Sequence, residues 1–422
     1  MVDTTEIGVT GLKQNGGFVS EEFLVQLFGS KANKVFREMA DNEPIIGGIT
    51  LAFEQVAGKL DWHIEPPEDA SADEMLATDF IRSAWEDMQD DWDVMLSNIM
   101  SFVTFGWSFF EVNYKIRNGR NSPIESKYSD GRIGWKSWAI RAQETLYKWE
   151  FGPNGAVMSM TQQDPQAGGM FTVPMFKALL FRTSEFKNNP QGRSMLRNAY
   201  VPYYYLKRIR EQEAIGFERD LSGLPTATVP AAFMKSSADE SQKAFVTAMA
   251  KMVQEIRRNK REGIVMPVEY DENNNKVIDF ELMTSGGQRQ MIPDVAITRY
   301  KQEIAMSLLA DFLTLGHEGV GSFALGTAKM DLWTMVVDSL AKSIASVVNK
   351  HAIEKLLRLN GMSYVNPPKL VYGSVSNIDL SSIATYIAAL VKGGLITSDP
   401  TLEAWLREAG GMPMPEEAAG IV

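Results

Sequence analysis

Apolar residues recur at helical spacing over much of the stretch from about position 20 to Phe105, then switch to every second position at Trp107. Residues 1–20 are rich in Gly and Thr and predict an extended arm. Residues 20–60 predict two helices, with Glu21-Glu22 near the start of one and Asn42-Glu43-Pro44 before the next. From Glu65 to Asp93, eleven acidic residues accompany one basic residue, Arg82. Met75, Phe80, Ile81, Trp85, Met88 and Trp92 recur there at helical spacing, which predicts an amphipathic helix with an acidic outer face. A helix over Val94–Phe105 follows and reaches Gly106. Phe109, Glu111, Asn113 and Lys115 then alternate with Phe110, Val112, Tyr114 and Ile116, the period of a strand. Turns at Asn118-Gly119, Ser129-Asp130-Gly131 and Pro153-Asn154-Gly155 punctuate a strand-rich block up to Phe181.

A Pro-Gly turn at Pro190 and Gly192 predicts the start of a helix of about two dozen residues, ending near Gly223-Leu224-Pro225. Its first half is aromatic (Tyr200, Tyr203, Tyr204, Tyr205). Its second half is charged (Lys207, Arg208, Arg210, Glu211, Glu213, Glu218, Arg219, Asp220). Such a helix suits a strut between two environments better than an active-site wall. A second helix is expected over Asp239–Arg261. A hairpin is then expected, with strands Ile264–Tyr270 and Lys276–Met283. A helix over Pro293–Leu313 leads to a glycine-rich loop, and the longest helix, Thr327–Leu359, closes on Asn360-Gly361 as a C-cap. Two shorter helices are expected in the tail, over Ser381–Lys392 and Pro400–Ala409.

Composition narrows the class of protein. The chain has 422 residues and a formal charge of -11, which argues against a surface that grips nucleic acid tightly. It contains no cysteine, so disulfides and thiolate metal sites are excluded. The N-terminus has no basic and apolar pattern of a secretory signal, and no stretch reaches the ~18 apolar residues of a membrane helix. No membrane insertion is expected.

The order of these elements resembles the portal proteins of tailed bacteriophages, in particular the Mu-type branch. Phe105-Gly106-Trp107-Ser108-Phe109-Phe110-Glu111-Val112 is similar to the family's passage from helix through glycine to an aromatic strand. Trp135 to Phe181, with Asn189-Pro190-Gln191-Gly192-Arg193-Ser194-Met195-Leu196, is similar to its β-rich block and turn into a long helix. Phe217-Glu218-Arg219 with Gly223-Leu224-Pro225 resembles the helix exit. Ser381 to Pro413 resembles the C-terminal pattern. The likeness covers roughly residues 20–415 and rests on collinear order.

The resemblance implies an α+β portal fold: a β-rich wing, a two-helix stem, a small α/β clip, a long helix behind a tunnel loop, and a helical C-terminal crown. The wing would take 1–205 and 305–375, the stem helices 206–222 and 288–304, the clip 223–287 and the crown 376–422. The tunnel loop, within 314–325, would present Leu315, Gly316, His317, Glu318, Gly319, Val320, Gly321 and Ser322 to DNA. The subunits would form a ring, usually a dodecamer, at one capsid vertex of the virion, after synthesis in the host cytoplasm. Implied partners are further copies of the chain, non-specific double-stranded DNA, the terminase large subunit, the major capsid or scaffolding protein, and a head-tail adaptor.

The residues themselves supply no chemistry that competes with this. His63, His317 and His351 show no metal-ligand spacing, and neither metal nor cofactor is expected. Gly316, Gly319 and Gly321 do not match a phosphate loop, and Glu318 would repel a phosphate. Glycine freedom suits a mobile loop, and a passive surface turn is the plain alternative. Arg257, Arg258, Lys260 and Arg261 are either a solvated helix end or a clip docking patch for the motor or adaptor. Lys207, Arg208 and Arg210 are the stem's cations. No catalytic residue is assigned and no enzymatic activity is expected. The rival readings are a minor-head nuclease or peptidase, which would need a carboxylate cluster or a Ser/His pair, and another ring-forming adaptor.

Overall fold

A computed structural model describes residues 8–222, 224–257, 279–283, 293–310 and 323–373. The chain divides into two compact units, Ala199–Ile304 and the remainder. The fold mixes helices and antiparallel sheets, as expected for α+β.

In the larger unit, α1 (Ser30–Asn42), α2 (Pro44–Gly58) and α4 (Trp92–Phe105) pack on one another. They bury Phe36, Met39, Ile46, Ile49, Phe53, Leu96, Ile99 and Phe102. Pro44 stands at the first turn of α2, where its missing N–H leaves no intrahelical bond unmade. Glu21 and Glu22 do not open a helix, because α1 starts at Ser30. Their carboxylates instead bind Lys187 and Arg197, far along the chain.

The acidic run is also more divided than its periodicity predicts. Strand β3 (His63–Glu65) precedes helix α3 (Ala72–Glu86), and the chain breaks again before α4. Most of its carboxylates are exposed, but Glu74 and Asp87 are buried. Each is buried because it satisfies backbone donors. Glu74 forms a capping box with Ser71 and accepts the N–H groups of Val365 and Asn366 at 3.2 and 2.7 Å. The Asn366 N–H, then the Ser71 N–H and hydroxyl, hold its carboxyl down to about 2 from 4.5. A depressed carboxyl stabilises the fold above its ordinary range, and the contribution is lost as pH falls through the folded value. Glu74→Gln should therefore lower the thermal midpoint at neutral pH. The gap to wild type should hold down to about pH 4.5 and close towards pH 2. A gap independent of pH would mean that the charge is idle.

Strand β4 (Trp107–Ile116) is central in a sheet of order β5–β4–β9, with β5 at Ile133–Arg141 and β9 at Ala178–Arg182. Its first four residues are all buried, so the strand is covered on both faces. A second antiparallel sheet orders β6 (Leu146–Phe151), β7 (Val157–Gln163) and β8 (Met170–Pro174). Trp149, Met160 and Val173 lie in register across it and pack with Trp107, Phe109 and Leu180. The arm is not simply extended. A short hairpin, β1 (Gln14–Asn15) and β2 (Phe18–Val19), docks on β6, where the Trp149 N–H donates to the Gly17 carbonyl at 3.0 Å.

The expected longest helix runs as α8 (Phe323–Val348), a π turn (Asn349–Ile353) and α9 (Glu354–Leu359). It ends as expected: Gly361 has φ 62°, and the Met362 N–H bonds the Leu357 carbonyl. Two asparagines on this element take both backbone groups of one strand residue. Asn349 does so at Leu370 of β12 (Lys369–Val371), with bonds of 2.7 and 3.1 Å. Asn360 does so at Ile133, at 2.8 and 2.9 Å. Both amides thereby take up strand-edge groups that would otherwise need another donor and acceptor.

In the smaller unit, α5 (Tyr200–Ser222) leads into β10 (Leu224–Thr228), which pairs antiparallel with β11 (Asp279–Met283). Helix α6 (Glu240–Arg257) packs on β10. The helix after the Pro-Gly turn begins later than expected, because a turn at Met195–Arg197 intervenes, capped by the Ser194 hydroxyl. Helix α7 (Pro293–Ser307) stops short of Leu313. A reversal with Leu309 at φ 55° returns the Ala310 N–H to the Ala305 carbonyl. Met283 pairs with Leu224, and the other proposed hairpin strand, Ile264–Tyr270, lies outside the described residues. The tail helices and the rest of 374–422 do so too.

Candidate functional site

Helix α5 carries two apolar stripes. Pro202, Tyr203 and Leu206 are buried on one side. Val201, Tyr204 and Tyr205 stand 39–49% exposed on the other, where Ile215 continues the row at helical spacing. Tyr205 stacks on Tyr300 of α7 with ring centroids 6.0 Å apart and planes 21° apart. This contact sets the two helices side by side. Arginines cover both ends of the aromatic row, Arg208 at 4.9 Å over Tyr204 and Arg299 at 4.8 Å over Tyr300. Lys207 and Arg208 are exposed, and Arg210 is half-buried. Sequence periodicity missed the pairing with Tyr300, because nothing local relates residues so far apart.

The other expected site residues are placed less fully. Arg257 is the last residue of α6. Arg258, Lys260 and Arg261 lie outside the described residues, as does the whole loop Leu315–Ser322. Of the histidines, His63 is exposed between Asp61 and Glu65, and its Nε2 lies 2.9 Å from Glu65. The Glu65 carboxylate foremost raises its pKa against the opposing effect of burial. His351 stands exposed on the π turn, and its pKa is lowered, by desolvation first and then by Lys350. Among the described residues no three His, Asp or Glu side chains converge on a point where a metal could sit. No described helix is long and apolar enough to cross a membrane.

A feature of the larger unit escaped the sequence pattern. The arm with the start of α1, Phe105 and Trp107, the beginning of β6, the turn from Gln163 to Gly168 and the 184–197 loop line a cleft of about 1320 Å³. Phe18, Phe23, Phe28, Tyr147 and Phe186 line it. Phe23 is 91% exposed and Phe186 74%. Only the closeness of Phe18, Phe23 and Phe28 in the chain hints at it.

A family model described as the portal protein of Mu bacteriophage matches residues 34–412. The chain belongs to the Mu-type phage portal protein family. Solved structures share the fold. A chain of the virion of the native gene transfer agent (GTA) particle superposes with a TM-score of 0.54 at 10% identity, covering 91% of this chain and 94% of that one. Chains from the neck of the empty GTA particle, computed with C6 symmetry, and of the native particle, computed with C12 symmetry, give the same TM-score and identity over 90% and 94%. The family match extends over both compact units.

Proposed function

We propose that the protein assembles into a closed ring at one vertex of a phage capsid and that its central hole conducts the genome in packaging and ejection. The observation that carries this is the family match over 34–412, together with the collinear order of helix, aromatic strand, β-rich block, long helix and closing helix. The C12 symmetry of the GTA neck supports a dodecamer. In this reading the wing takes 1–205 and 305–375. Helices at 206–222 and 288–304 form the stem, 223–287 the clip and 376–422 the crown. The role is mechanical. The portal family is structural rather than enzymatic, and an external motor, the terminase large subunit, drives the DNA.

A net charge of -11 favours sliding over grip, because a polyanion is held only where cations replace its counterions. Lys207, Arg208 and Arg210 supply a few such contacts on the stem, and the glycine-rich loop Leu315–Ser322 touches DNA sterically. Arg257, Arg258, Lys260 and Arg261 form the clip's docking patch for the motor or the head-tail adaptor. The wing meets the capsid or scaffolding protein.

Negative-stain electron microscopy of the purified protein tests the reading. Annular particles with a stain-filled centre are expected, with rotational averages showing one repeat per subunit. Monodisperse particles without a hole would overturn it.

A further inference from the structure

We propose that the aromatic cleft of one copy receives the outward face of α3 from the next copy, and that this pairing is a subunit contact of the ring. The inference rests on the ring reading and adds the surfaces that join.

Phe23 does not stand out on a loose tip. Immediately before it in the chain, Glu21 binds Lys187 at 3.0 Å and Glu22 binds Arg197. Glu22 also accepts the N–H groups of Phe23 and Leu24, at 2.8 and 2.9 Å. A backbone held this firmly keeps an aromatic ring in water. That arrangement is unfavourable for an isolated chain and suits a preformed contact.

Helix α3 offers the matching shape. Its inner face buries Ala77, Phe80, Ile81 and Ala84. Its outer face leaves Met75 and Leu76 exposed at 41% and 61%. Val365, 87% exposed, is tied to the first turn of α3 through Glu74. These three make an apolar knob, and methionine packs well against aromatic rings.

Charge agrees with shape. Asp73 and Asp79 flank the knob and are exposed. Lys34 and Arg193 line the cleft and have no carboxylate partner among the described residues. Glu21 and Glu22 also line the cleft, but Lys187 and Arg197 neutralise them, and the cleft's cations outnumber its carboxylates. Cleft and knob belong to one compact unit and share no residue. Two different patches on each copy make a heterologous contact, which closes into a ring when repeated by rotation.

Since the chain has no cysteine, paired cysteines report the contact cleanly. Phe23→Cys with Leu76→Cys, oxidised after purification, should give a ladder of covalent multimers on a non-reducing gel. Either single variant should stop at dimers. Phe23→Asp should shift the sedimenting species from ring to monomer while the circular dichroism spectrum is kept, because an exposed ring contributes nothing to the fold of one copy. A wild-type chain that sediments as a monomer overturns the ring reading and this contact with it. An intact wild-type ring that gives no ladder, or a Phe23→Asp chain that remains a ring, overturns the contact alone.

Discussion

Replacing Lys115 by methionine should lower the stability of the chain by about 3–5 kcal/mol, the usual cost of removing one partner from a buried ion pair. Lys115 and Asp87 are only 2% and 3% exposed, with Nζ 3.1 Å from the Asp87 carboxylate. The same ammonium donates to the Asp87 and Glu125 carbonyls. Asp87 in turn accepts from the Ser126 hydroxyl at 2.6 Å and the Lys127 N–H at 2.7 Å. This network holds the excursion between β4 and β5 against the end of α3. Burial works to raise the Asp87 pKa most strongly, but the bonds from Ser126, Lys127 and Lys115 together leave it lowered. Its stabilising contribution is therefore present above the ordinary carboxylate range and lost as pH falls through the folded value. The penalty of Lys115→Met, read from denaturant midpoints, should shrink in acid as Asp87 takes up a proton. Adding Asp87→Asn should recover part of it, because the amide oxygen still accepts and no charge is stranded. Strict additivity of the two substitutions would show that the pair is not coupled.

The elements that could be read from sequence are those whose signals are local. The alternation from Trp107 to Ile116 places β4 correctly, since each residue's period is set by its neighbours. Asn360-Gly361 marks a helix end because glycine alone accepts that backbone at little cost. Signals fail where a distant partner decides. Glu21 and Glu22 look like a helix start, yet Lys187 and Arg197 claim them. Glu74 and Asp87 look like two more solvated carboxylates, yet each is buried by donors elsewhere in the chain. Asn349 gives no warning of a π turn, because its amide answers a strand edge that lies later in the sequence. The aromatic row of α5 was visible as four tyrosines, but its partner Tyr300 was not. The cleft was invisible for the same reason: its walls come from five separate stretches. The family likeness succeeded where single motifs could not, since it rests on the order of elements.

Gly106 is the local signal with the largest expected consequence. It caps α4 at φ 92°, with its N–H on the Phe102 carbonyl at 2.7 Å, and β4 starts at the next residue. Its carbonyl accepts the Thr183 N–H and stands so close to Gly192 that a Cβ there would lie 2.2 Å away. A Cβ on Gly106 itself would meet the Gln191 carbonyl at 2.6 Å and the Ser194 nitrogen at 2.7 Å. All of these are backbone atoms, held by the Thr183 N–H on the Gly106 carbonyl and the Thr183 hydroxyl on the Arg193 carbonyl, so no flexible side chain can yield. Gly106→Ala should therefore combine the left-handed backbone cost of about 1–2 kcal/mol with an overpacking cost of about 1–3 kcal/mol. Gly131→Ala is the control, since Gly131 has φ 71° and open space where its Cβ would go. It should show the backbone cost alone. If denaturation midpoints fall equally for both variants, the close approach at the α4–β4 corner carries no energy, and the glycine is there only for its dihedral.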